Sequence, residues 1–207
     1  MAIGQMNTGD TFRTLKALSQ GLYKDKGSKF LAFAMPVDSV STATATIQEY
    51  RKRFYDARHV CFAYKIGTAN PETRSFDDGE PSGTAGRPVL GQINSNNLTN
   101  VLVIVVRYFG GILLGTGGLI KAYRAAAADA VENGEIVEQF IENKINISFE
   151  YPLLSSVMKI VKDFDLIILS RKFENECQMQ VSVRQTLIPV VAEKLSNIEG
   201  VHLVVSG

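Results

Sequence analysis

Residues 100–131 read NVLVIVVRYFGGILLGTGGLIKAYRAAAADAV. The opening run, Asn100 to Tyr108, predicts a strand apolar on both faces, as at the centre of a sheet covered by helices. The AAAADA run favours helix, so Thr116 is expected to cap a helix reaching about Val131, closed by Asn133-Gly134. Between strand and helix lie Gly110, Gly111, Gly115, Gly117 and Gly118. Glycines this dense beside apolar runs let backbone approach backbone, or a ligand, more closely than a side chain allows.

Working outward, Thr11 to Tyr23 and Ser28 to Val37 predict two strands around the turn Lys24-Asp25-Lys26-Gly27. Ser39 to Phe54 reads as a helix ending in Arg51-Lys52-Arg53. HVCFAYKI, His59 to Ile66, alternates as a half-buried strand, with His59, Cys61, Ala63 and Lys65 on one face and Val60, Phe62, Tyr64 and Ile66 on the other. Gly67 to Gly83 reads as a long polar loop. Ser82 or Thr84 is then expected to cap a helix over Ala85 to Ile93, with Pro88 in its first turn.

Past Asn143 the texture changes. Lys144–Glu150, Leu166–Phe173, Cys177–Arg184 and Val201–Val205 read as strands. Pro152–Asp163 and Thr186–Ile198 read as helices with proline near the start, and Glu174-Asn175-Glu176 as a charged turn. This strand-helix-strand-strand-helix-strand order is the split βαβ pattern of a ferredoxin-like sandwich. The fold class is therefore α+β, two α/β sandwich domains, 1–136 and 137–207, with the boundary between about Gly134 and Asn143.

Charge is balanced, +1 from 22 basic and 21 acidic residues, so bulk electrostatics requires neither a nucleic-acid nor a membrane partner. Cys61 and Cys177 do not make a disulfide scaffold, and with His59 and His202 they lack zinc-ligand spacing; no metal and no cofactor is expected. The sequence carries no leader pattern and no apolar run of about 18 residues, so a cytoplasmic protein with reduced thiols is expected.

Two segments hold the candidate chemistry. In the second glycine segment, Gly115, Thr116, Gly117 and Gly118 open a helix beside Arg107, Lys121 and Arg124, a geometry suited to an anion or phosphate. Neither nucleotide fingerprint fits, because Thr116 follows Gly115 where a P-loop needs lysine, and Ile120 stands where a dinucleotide turn needs glycine. Tight packing of helix on strand accounts for the same glycines.

In the first segment, RSFDDGEPSGTAGRPVLGQ from Arg74 to Gln92, the acids Asp77, Asp78 and Glu80 precede Ser82, Thr84 and Arg87. The acids serve as turn caps and partners of Arg74, Arg87 or Arg107, as a partner surface with Tyr108, or as metal ligands or acid–base groups. His59 and Cys61 share a face, but i,i+2 positions stand roughly 7 Å apart along a strand, too far for a dyad. Cys61 reads as a small buried hydrophobe and His59 as a cap on the sheet edge.

RSFDDGEPSGTAGRPVL and VVRYFGGILLGTGGLIKAYR, together with KGSKFLAFAMPV and ARHVCFAYKIG, resemble the YigZ/IMPACT family over roughly residues 10–135. Lys121 stands where the family commonly has arginine. The resemblance implies a first domain with the βαβ fold of ribosomal proteins and of the fourth domain of elongation factor G, followed by a ferredoxin-like domain. It also implies a link to translation, since eukaryotic IMPACT proteins regulate it; their kinase pathway does not follow from the shared domain. Two functions are then expected in competition. One is a non-enzymatic protein binding the ribosome, RNA or a translation-associated protein, with Arg107, Lys121 and Arg124 on phosphates and Tyr108 or Phe109 stacking. The other is an enzyme acting on an anionic small molecule with Asp77, Asp78 or Glu80 as acid, base or metal ligand. Oligomeric state is not encoded in these patterns.

Overall fold

A computed structural model describes residues 9–174 and 176–206; Asn175 of the expected charged turn lies outside the described residues. The chain forms two compact units, Phe12–Gln139 and the described parts of Met1–Thr11 with Phe140–Gly207.

In the first unit β1 (Thr11–Leu15) pairs with β7 (Ile136–Phe140) in a two-stranded sheet. A five-stranded antiparallel sheet runs in the order β2 (Ser19–Asp25), β3 (Ser28–Pro36), β6 (Val101–Tyr108), β4 (His59–Ile66), β5 (Glu72–Phe76). The central strand β6 divides its side chains between two cores. Val101, Val103 and Val105 join α2 (Gly86–Ser95) and α3 (Gly115–Glu132), while Leu102, Ile104 and Val106 join α1 (Val40–Arg53) on the other face. Strands β3 and β4 flank β6 and are connected through α1, a split βαβ arrangement.

The expected single strand Thr11–Tyr23 is two strands in different sheets. The Lys16 N–H still reaches Glu135 beside β7 (2.9 Å), whereas the Ser19 hydroxyl donates to the Ala130 carbonyl on α3 (2.6 Å). Strand β4 is buried on both faces rather than one, with the expected division of side chains between the two cores. The expected loop Gly67–Gly83 contains β5, whose five residues are all exposed; pairing with β4 makes this strand, so no apolar alternation marks it.

The second unit sets β11 (His202–Ser206), β8 (Glu142–Phe149), β10 (Cys177–Arg184) and β9 (Ile167–Phe173) side by side, all antiparallel. Numbered within the unit, the order is 4-1-3-2, the ferredoxin-like arrangement. Helices α4 (Leu154–Asp163) and α5 (Ile188–Ser196) cover one face through Val157, Val161, Val191 and Leu195. Asp10 belongs to this unit: its carboxylate accepts from the Thr186 N–H (3.0 Å) and hydroxyl (2.7 Å). Among the described residues no helix is long and apolar enough to cross a membrane.

Candidate functional site

The two glycine segments meet. Glu80, in the turn after β5, is buried against Arg107 at the end of β6, with Nη1 to Oε1 2.6 Å. Tyr123, fully buried on α3, donates its hydroxyl to the same oxygen at 2.8 Å. The guanidinium lies over the rings of Phe30 and Phe109, both 5.5 Å from Cζ. On β4 the imidazole Nε2 of His59 stands 3.8 Å from Glu80 Oε1, and Nδ1 donates to the Asp78 carbonyl at 2.7 Å. A carbonyl only accepts, so Nδ1 carries the proton.

Cys61 is fully buried beside this centre, its thiol donating to the Asp77 carbonyl at 3.0 Å. Burial above all, then the nearby Glu80, Asp78 and Asp77, pushes the thiol far above its ordinary range against the opposing Tyr123 hydrogen bond. Burial likewise raises the Tyr123 phenol, with Cys61 and Glu80 adding to it. Both stay protonated at neutral pH, so Cys61 is no nucleophile. β5 pairs only with Phe62–Ile66 of β4, so His59 lies on a stretch of β4 that no strand covers on that side.

The three acids point to three different sets of partners. Asp77 accepts from the backbone N–H groups of Gly83 (2.8 Å), Ala85 (3.0 Å) and Gly86 (2.8 Å), opening α2. The expected caps do otherwise: Thr84 donates to the Pro81 carbonyl, and exposed Ser82 makes no cap bond. A carboxylate reaching across the loop fills three donors where a hydroxyl fills one. Asp78 accepts from Val60 N–H (2.7 Å) and Arg51 (2.8 Å), and Glu80 holds Arg107.

Burial raises the Asp77 carboxyl, but the N–H donors of Gly83, Gly86 and Ala85, with the charge of Arg87, outweigh it and hold its pKa below the usual carboxylate value. A lowered folded pKa gives stability that is present above the unfolded pKa of about 3.9 and lost as pH falls through the folded one. Asp77→Asn is expected to cost about 1–2 kcal/mol at pH 7. Chemical denaturation should find the gap between variant and wild type closing below roughly pH 4.

The phosphate candidates separate. Arg107, expected on a phosphate, is 5% exposed, paired with Glu80 and part of a cavity lining. Thr116 does not cap α3; Leu114 occupies that position without a side-chain bond, because the helix begins at Gly115, whose φ is +72°. Gly115 and Gly117 have open space where a Cβ would stand, while Gly118 faces Leu114. Lys121 and Arg124 are exposed on α3. Arg87 and Arg124 face one open groove between α2 and α3, about 470 Å³ in volume, with Gly83, Gly91 and Gln92 in its lining. Tyr108 instead donates to Asp56 at 2.9 Å.

Sequence reading missed Tyr123. Its signal is a hydroxyl within the buried stripe Leu119, Ala122, Tyr123, Ala126, Ala127, Ala130, where a phenol needs a partner.

The fold and its centre define a two-unit α+β protein whose first unit is built around a buried acid–arginine–tyrosine cluster. Residues 26–131 match the Impact N-terminal domain, and the chain belongs to the IMPACT family. It is 30% identical to the IMPACT family member YigZ of Escherichia coli over 174 residues, 83% of this chain and 85% of that protein. It is 38% identical to Protein IMPACT of Rattus norvegicus over 97 residues, 44% of this chain but 30% of the rat protein. A crystal structure of a hypothetical protein superposes with a TM-score of 0.75 at 28% identity, covering 94% of this chain and 97% of that one.

Proposed function

We propose that the protein is a cytoplasmic, non-enzymatic binding protein of the translation machinery that engages RNA phosphates through the groove between α2 and α3. One observation carries the reading: Arg87 and Arg124 both line one open groove, and among the described residues neither has a carboxylate within salt-bridge distance. Lys121, one turn before Arg124, extends the positive strip. Small residues at Gly83 and Gly91 leave room for a sugar–phosphate chain to lie close to the backbone. The family placement directs this surface towards translation.

Co-sedimentation with ribosomes and their subunits across a salt series tests it. Wild type is expected to bind saturably and weaken with salt. Arg87→Glu/Lys121→Glu/Arg124→Glu, at surface positions and with an unchanged thermal midpoint, should bind at least 10-fold more weakly. Its salt slope should shrink by roughly 2–3, at about 0.7–0.9 per lost phosphate contact. No binding at low salt, or binding unaltered by the three reversals, overturns the proposal.

A further inference from the structure

A second cavity, sharing no lining residue with the groove, opens on the buried acid–arginine centre. It encloses about 400 Å³ between the turn carrying Gly79–Pro81 and the start of α3. Its polar lining comes from Arg58, His59, Glu80 and Arg107. Its apolar lining comes from Phe109, Leu113, Leu114 and Leu119. Volume and mixed lining suit a small organic ligand.

The electrostatics select its sign. Glu80 is the one carboxylate in the lining, and Arg107 Nη1 with Tyr123 already binds its Oε1. Arg107 belongs to the lining, while its Nε is shut away from water without a partner. Gly115 and Thr116 bring the first turn of α3 to the wall, and that turn has neither a side-chain cap nor an acidic residue. Its free N–H groups and the helix dipole add positive potential, as does Arg58 at the rim. Arg58 at the rim, an uncapped helix start and a carboxylate already paired with Arg107 make an environment for an anion.

The lining also selects a body for that anion. Phe109 is 43% exposed and Leu113 81% exposed, a large apolar area left to water at the mouth of the cavity. Phe109 precedes and Leu113 follows the glycine pair Gly110-Gly111 of the second segment, whose glycines are expected to let backbone approach backbone or a ligand.

We propose that this cavity binds a small organic anion, a carboxylate or phosphate monoester carried on an apolar aryl or branched body. The anionic head lies toward Arg107 and the start of α3, and the body lies on Phe109, Leu113 and Leu119. The site stands independently of RNA binding in the α2–α3 groove.

The test is a two-dimensional amide NMR titration of the full chain with 3-phenylpropanoate and with phenyl phosphate, beside the neutral 3-phenylpropan-1-ol and inorganic phosphate. Saturable shifts clustered at residues 58–59, 79–81 and 107–119, with a Kd of about 1 mM or tighter for at least one aryl anion, are expected. The alcohol and inorganic phosphate should each bind at least 10-fold more weakly. Preference between the two aryl anions identifies the head group. Leu113→Asp, at an exposed position that leaves folding intact, should weaken the aryl anion by 10-fold or more. Arg107→Lys, where it folds, should do the same by removing the guanidinium from the lining. Absence of saturable shifts, equal affinity for alcohol and anion, or indifference to Leu113→Asp overturns the proposal.

Discussion

Arg107→Ala is expected to destabilise the first unit by about 3–5 kcal/mol, the cost of leaving a buried carboxylate without its cation. Glu80 and Arg107 are 8% and 5% exposed, so water does little to screen the pair or to solvate the survivor. Phe30 and Phe109 also lose the guanidinium they flank. Denaturant unfolding monitored by tyrosine fluorescence provides the measurement. The companion Glu80→Ala should be similarly severe, since it strands Arg107 and the Tyr123 hydroxyl together. The double variant removes both charges, and should be more stable than the sum of the singles by on the order of 1–3 kcal/mol. A loss below about 1 kcal/mol for Arg107→Ala would mean that water enters this centre.

Gly21→Ala should cost about 3 kcal/mol or more, an overpacking effect at the top of the usual range because the obstacle is backbone. Gly21 on β2 faces α3, where an added Cβ would strike the backbone nitrogen of Ala130 and lie 2.8 Å from the Ala126 carbonyl oxygen. Neither atom can rotate away, so the helix must move off the sheet. Gly91→Ala is the matched control: exposed in α2 with nothing within 4 Å of the new methyl, it should stabilise by roughly 0.5–1 kcal/mol. Thermal unfolding of the pair separates a glycine required by packing from one that is not. A Gly21→Ala protein as stable as wild type would refute the close approach.

Burial of both faces was legible in β6, which announces itself by apolar content alone, whereas β4 read as a half-buried strand because Lys65 and His59 interrupt its apolar run. The ferredoxin-like order was legible for a related reason, since β8 and β10 alternate cleanly between the core and the opposite face. β5 was not, because ETRSF is ordered by its neighbour's hydrogen bonds rather than by its own side chains. The break between β1 and β2 was invisible because apolar residues continue across it while the partner strand changes. At the site, the two charged glycine segments stood out, but which acid meets which arginine did not: Glu80 and Arg107 are 27 residues apart, and only the sheet brings them together. Arg107 read both as a phosphate contact and as one of three arginines paired with the acids for that reason, and Asp77 read as one of three like acids until its three N–H partners set it apart.

The bond between Asp10 and Thr186 spans 176 positions and lies within one unit, so the first unit is an insertion in the chain of the second. Synthesis makes these two ends at very different times. At about 5–20 residues per second, Asp10 emerges roughly 10–35 seconds before its partner is made. The inserted unit has its whole sequence available in that interval and can fold first. The unit to which Asp10 and Thr186 belong is then completed last, and a copy begun just after Asp10 would reach the turn before α5 without the carboxylate that the Thr186 N–H and hydroxyl need.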